Sequence, residues 1–196
     1  MRNLILGFLL FSSLANGAAT NSIPVKPDNS IVSFSASIPN FSPPATPTDM
    51  CVITGSATRV IEVTSFEVSS NQGTAGVNQY FFVKRTTANT GGTFINSPAI
   101  PHDSGKAAST AAVFRYVTNP SALGTSAGNL WIKRHMSGIS TSLIVPYFDL
   151  FGPNNTSVVF QPVVLRGVAE SLALNFGGSP LPGTMTIGCN FKWLER

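Results

Sequence analysis

Gly183-Thr184-Met185-Thr186-Ile187-Gly188-Cys189-Asn190-Phe191-Lys192-Trp193-Leu194 decides the fold class. Met185, Ile187, Cys189 and Phe191 alternate with Thr184, Thr186, Gly188, Asn190 and Lys192. Successive side chains of a strand point to opposite faces, so this period of two predicts a strand with one face in a core. Working outward, shorter apolar runs at 50–54, 79–85, 112–118, 130–136, 157–161, 162–166 and 171–176 are separated by Gly-, Pro- and Asn-containing turns. Residues 60–68 alternate less cleanly, and both faces are expected to be partly buried. Residues 143–151 are interrupted by Pro146, which predicts an edge strand or a bulge.

Residues 107–112 are alanine-rich and predict a short helical turn, whereas nothing supports an amphipathic helix of three turns. The predicted fold is all-β: a jelly-roll or antiparallel β-sandwich of about eight strands with an extended N-terminal arm. Residues 1–19 form an apolar segment, 20–48 a Pro/Ser-rich extended arm and 49–196 the sandwich. Proline lacks an amide donor and fixes φ, which predicts an arm with no core of its own. One short strand is expected around residues 31–35, and the arm is expected to be dispensable for folding of 49–196.

Residues 1–19 read as a secretory signal, with Arg2, an apolar stretch from Leu4 through Phe8 to Phe11, and small residues Ala15, Gly17 and Ala18. The apolar run is too short for a stable membrane span. If retained, it is an arm for burial in a partner, with Leu4, Phe8 and Phe11 as contacts.

Only 10% of the 196 residues are charged, against about 25% in ordinary soluble domains. Part of this surface is therefore expected to be covered by neighbours. The 12 Lys and Arg are dispersed, without the patch and motif of a nucleic-acid binder. Cys51 and Cys189 are too few for a zinc site. They read as two buried free thiols or, in an oxidising compartment, as a disulfide. The carboxylates are too scattered for calcium, and no cofactor is expected.

His102-Asp103 with Ser104 is the single local arrangement suggesting acid–base chemistry. Without a nucleophile elbow or an oxyanion site it reads as a pin for the long connection 86–109, and the expectation is that the chain is not an enzyme. His135, beside Lys133-Arg134, reads as a surface or interface residue. The aromatics Tyr80, Trp131, Tyr147, Phe148 and Phe151 are candidate interface anchors, with 146–151 the favoured contact region.

The blocks at 53–58 (ITGSAT), 83–93 (VKRTTANTGGT), 101–104 (PHDS), 119–124 (NPSALG) and 164–167 (VLRG) resemble those of tailed-phage and prophage structural proteins. The resemblance spans residues 51–193 and leaves the arm out. It implies a virion component (capsid decoration, neck, baseplate or fibre) that is homo-oligomeric, with a trimer favoured, and docks by its arm on other virion proteins. The apolar start departs from that pattern. The rival expectation is a secreted bacterial surface or carbohydrate-binding module, and a hydrolase on an all-β scaffold stands third.

Overall fold

In the computed structural model, residues 31–74, 76–137, 143–149, 161–181 and 183–196 are described, with only the backbone for 135–137 and 143–149. The strands are β1 (Val32–Phe41), β2 (Asp49–Thr54), β3 (Val60–Gln72), β4 (Gly76–Arg85), β5 (Phe94–Ser97) and β6 (Ile100–Pro101). They continue with β7 (Val113–Tyr116), β8 (Ser126–Ser137), β9 (Leu143–Asp149), β10 (Val163–Arg166), β11 (Ser171–Asn175) and β12 (Met185–Glu195). Two antiparallel six-stranded sheets face each other in a sandwich-like arrangement. The first runs β10-β3-β12-β1-β6 with β9 also on β3, and the second runs β5-β7-β2-β11-β4-β8.

The strand that the alternation of 183–194 predicts is β12, central in the first sheet between β3 and β1. Met185, Ile187, Cys189, Phe191 and Trp193 are all buried, as the period requires. The weaker pattern of β3 has a mechanical cause. Lys192 pairs with Ser65 while Trp193 pairs with Val63, so Thr64 is an extra residue in the ladder. A bulge shifts the phase by one. Ile61 and Val63 point into the core before it, and Phe66 and Val68 after it. The Phe66 ring then meets Phe191 at 4.4 Å in its own sheet and Phe82 at 4.5 Å in the other.

Three expectations change. Among the described residues there are twelve strands rather than about eight: the Gly- and Pro-rich connection 86–109 adds β5 and β6 and the arm adds β1, while most of the run expected at 157–161 lies outside the described residues. The alanine-rich 107–112 forms no helical turn. The arm boundary moves most. β1 pairs with β12 from Val32–Glu195 to Phe41–Ile187, and Phe34, Ala36, Ile38 and Phe41 are buried. Pro39 is accommodated because the register skips between Ile38 and Phe41, at a bulge where a missing donor is tolerated. Residues 42–48 also tie in: Thr48 N donates to Asn119 Oδ1 at 3.0 Å, and Leu181 N to Ala45 O. Residues 1–30 lie outside the described residues.

Pro146 matches its expected edge position. β9 pairs with β3 with one extra residue at Tyr147, between the pairs Phe66–Phe148 and Glu67–Pro146.

Cys51 on β2 and Cys189 on β12 form a disulfide, with Cα atoms 6.5 Å apart. Of the two readings, the free-thiol one is thereby replaced. The two strands lie in different sheets, and both cysteines face the shared core, so the bond joins the layers. It closes a separation of 138 residues. Long closed loops lose much unfolded-state entropy, so Cys51→Ser with Cys189→Ser is expected to cost about 3–5 kcal/mol. Urea unfolding under oxidising conditions measures this loss, and a change under about 1 kcal/mol contradicts it.

Candidate interaction surface

The buried carboxylates of Asp49 and Glu195 are spent on holding loops. Asp49 is fully buried at the start of β2. Its carboxylate accepts from Arg85 Nε at 2.5 Å and Nη2 at 2.8 Å, from Asn89 Nδ2 at 2.8 Å and from Asn175 Nδ2 at 2.6 Å. Arg85 Nη1 donates onward to Gly124 O, and Gly124 N donates back to Asn89 Oδ1, both at 2.8 Å. Gly124 has no space for a side chain, because a Cβ there would lie 1.9 Å from Thr87 O. Bidentate Arg–carboxylate geometry with every acceptor filled makes a rigid clamp, not a reactive centre. Tyr116 lies beside this clamp, and burial pushes its phenol above its ordinary value.

Glu195 plays the same part at the end of β12. Its carboxylate accepts from Ser109 Oγ, Thr110 N, Thr110 Oγ1 and Trp193 Nε1 at 2.5–3.2 Å. Burial acts to raise its pKa, but these donors outweigh it and hold the carboxyl below its ordinary value. A carboxyl lowered on folding stabilises above its unfolded value of about 4.3 and loses that stabilisation as pH falls through the folded value. Glu195→Gln is therefore expected to cost about 1.5–3 kcal/mol at pH 7. The gap from wild type should shrink as the pH is lowered below about 4. Urea midpoints at both pH values check this, and a gap that widens in acid contradicts it.

Glu170 is likewise held low: burial opposes, while Arg166 N and the Lys84 ammonium, 3.1 Å away, prevail. Lys84 also donates to Val164 O at 2.8 Å, linking β4 to β10 across the two sheets.

The His102-Asp103 doublet is part of the fold. His102 N donates to Ser33 O beside β1, while Asp103 Oδ1 accepts from Gly105 N at 3.0 Å and turns the chain. His102 lines an open groove of about 840 Å³ with Ser33, Glu62, Thr64, Lys192 and Arg196. Within it Glu62 accepts from Arg196 Nε at 2.9 Å, and Thr64 Oγ1 donates to Lys192 O. The carboxylate and this hydroxyl are thus committed to structural bonds. Among the described residues no three His, Cys, Asp or Glu side chains gather as metal ligands. His135 lies on β8 opposite Asn78, and its side chain is outside the described residues.

The interface candidates separate sharply. Tyr80 is corrected: it points into the core, its ring edge-on to Phe176 at 4.9 Å and its hydroxyl donating to Ser70 Oγ. Burial pushes its phenol above the ordinary value, against hydrogen bonds with Ser70 and Asn78. Trp131 is 40% exposed on β8, flanked by Leu130 at 44% and Ile132 at 57%. Tyr147 and Phe148 are placed on β9 by their backbone alone, and Phe151, Leu4, Phe8 and Phe11 lie outside the described residues.

Sequence reasoning missed a second apolar surface. Phe94 and Ile95 on β5 are 53% and 49% exposed, with Phe94 4.8 Å from the Phe114 ring. Ile100 on β6 stands out equally. The signal was present in Phe94-Ile95-Asn96-Ser97, two large apolar residues in an otherwise polar connection.

No helix among the described residues is long and apolar enough to cross a membrane. No family model, no curated protein and no solved structure matches the chain.

Proposed function

We propose that this chain is a non-catalytic structural protein that packs against other protein subunits within a phage virion. There it would stabilise a capsid, neck or tail substructure as a homo-oligomer, with a trimer favoured, and a jelly roll is the container we assign to its sheets. The observation that carries the proposal is the pair of exposed apolar patches on β5 and β8 at opposite ends of one sheet. They stand out on a chain with few charges to keep such surfaces dispersed. The clamps at Asp49 and Glu195 support it as well, since they make the loops rigid and spend the buried carboxylates on structure. The virion setting rests on the sequence resemblance.

Density-gradient fractionation of a culture producing the chain tests the proposal. The chain should travel with particles of virion density and remain there after a high-salt wash. Recovery only in the low-mass soluble fraction would contradict it.

One observation favours a second reading, a secreted bacterial surface or carbohydrate-binding module. The Cys51–Cys189 bond requires an oxidising compartment to form. Mass spectrometry distinguishes the two, since export with cleavage would leave a chain starting near Ala18.

A further inference from the structure

We infer that a small pocket on the outer face of the second sheet takes a single neutral hexose ring, the end residue of a glycan. This gives the carbohydrate-binding reading above its site, and rests on that reading rather than on the virion setting.

The pocket has a volume of about 130 Å³ and lies where β2, β5, β7 and β11 meet the loops at 88–89 and 168–169. Aromatic rings form one wall. Phe94 and Phe114 are 4.8 Å apart, and each stands nearly at right angles to Tyr116, at 81° and 86°. Phe94 is half-exposed at the rim, while Tyr116 is buried. Neighbouring residues of a strand face opposite ways, so Ile95 points away, and a subunit seated on Ile95 leaves the pocket open. The other walls are fixed. Asn89 is held by the Asp49 clamp, and the turn at 167–170 by Glu170, which accepts from Arg166 N at 2.8 Å and pairs with Lys84. A ligand therefore meets a site that needs little ordering before it binds.

One polar group in this pocket is uncommitted. Asn89 spends its hydrogen bonds within the clamp, and Thr54 Oγ1 bonds to both Ala112 O and Ala112 N. Ser171 pairs with Thr54 across the β2–β11 ladder, so their side chains share a face. It is only 5% exposed, yet its hydroxyl has no partner among the described residues. Burying an unpaired hydroxyl is costly, and in the lining of a pocket a ligand can supply the missing bond.

Size, charge and polarity together select the ligand. A cavity of about 150 Å³ holds a benzene ring, so this pocket admits one six-membered ring and no more. Among the described residues no charged side chain lines it, which disfavours phosphate, carboxylate and ammonium groups. A wholly apolar ring would leave Ser171 unpaired. A neutral hexose meets every condition. Its C–H face packs on the aromatic wall, where ring faces carry partial negative charge, and one of its hydroxyls reaches Ser171.

Saturation-transfer NMR on the full-length, oxidised chain tests this, with the methyl glycosides of glucose, galactose and mannose and with p-cresol as probes. At least one glycoside should bind reversibly. Phe94→Ala should weaken it about tenfold and Ser171→Ala about threefold or more, with the disulfide and the circular dichroism of wild type retained. Phe94 is exposed, so its variant decides the question alone should Ser171→Ala fail to fold. If a folded variant binds the glycoside like wild type, the site is overturned while the carbohydrate reading stands. If no glycoside binds, both are overturned, and binding of p-cresol alone reassigns the pocket to an aromatic ring. The assembly reading is tested separately by the gradient.

Discussion

A chain beginning at residue 49 is expected not to fold. Such a truncation removes β1, and with it four side chains buried in the core: Phe34, Ala36, Ile38 and Phe41. The three larger ones stabilise by about 1.5–3 kcal/mol each. The ring of Trp193 loses its stacking partner Phe34, 5.7 Å away, and Phe41 no longer lies beneath the Arg115 guanidinium at 4.6 Å. β12 would lose its ladder along one whole side, and β6 its pairing in the first sheet. Set against a total stability of about 5–15 kcal/mol, these losses together are decisive. A chain beginning at residue 31 keeps every pairing described here and should unfold cooperatively. Near-ultraviolet circular dichroism and urea titration of both truncations measure the difference. A cooperative transition in the shorter chain would contradict the place given to β1.

The second large effect is expected at the Asp49 clamp. Arg85→Met removes three of the donors that organise this corner and leaves a fully buried carboxylate with Asn89 and Asn175 alone. Breaking a buried ion pair from one side costs about 3–5 kcal/mol, because the remaining charge cannot regain water. Replacing both members, Asp49→Leu with Arg85→Met, should lie closer to wild type than either single change. The loops should also loosen, since Gly124 O and Asn89 depend on the same network. Urea midpoints for the three variants check this. A single variant within about 1 kcal/mol of wild type contradicts the clamp.

The parts of the fold legible in the sequence are those whose pairing partners impose an unbroken period of two. β12 is the clearest, lying between two long neighbours whose bulges, between Ile38 and Phe41 in β1 and at Thr64 in β3, place the extra residues on the partner strands and leave its own period unbroken. β3 was blurred by its own bulge, which mixes two phases in one run. β1 was hidden by proline: Pro39 lies inside the strand and is permitted only because the ladder skips there. β5 and β6 are too short to show a period at all. The clamps were illegible for another reason. Asp49 meets Arg85 36 positions away and Asn175 126 away, and no local pattern encodes such a meeting. The run 80–83 is apolar throughout, which conceals that Tyr80 faces inward. Trp131 is exposed on β8, while the apolar patch on β5 becomes visible only through the sheet order, which places it at the opposite end.

Amide hydrogen exchange, resolved strand by strand on the full chain at low and high protein concentration, tests most directly the claim of a closed core with adhesive sheet ends. Slow exchange in β1, β2, β11 and β12 at every concentration, together with β5 and β8 passing from fast to slow as concentration rises, is the predicted result. Fast exchange in β1, or protection of β5 and β8 that does not respond to concentration, would contradict it.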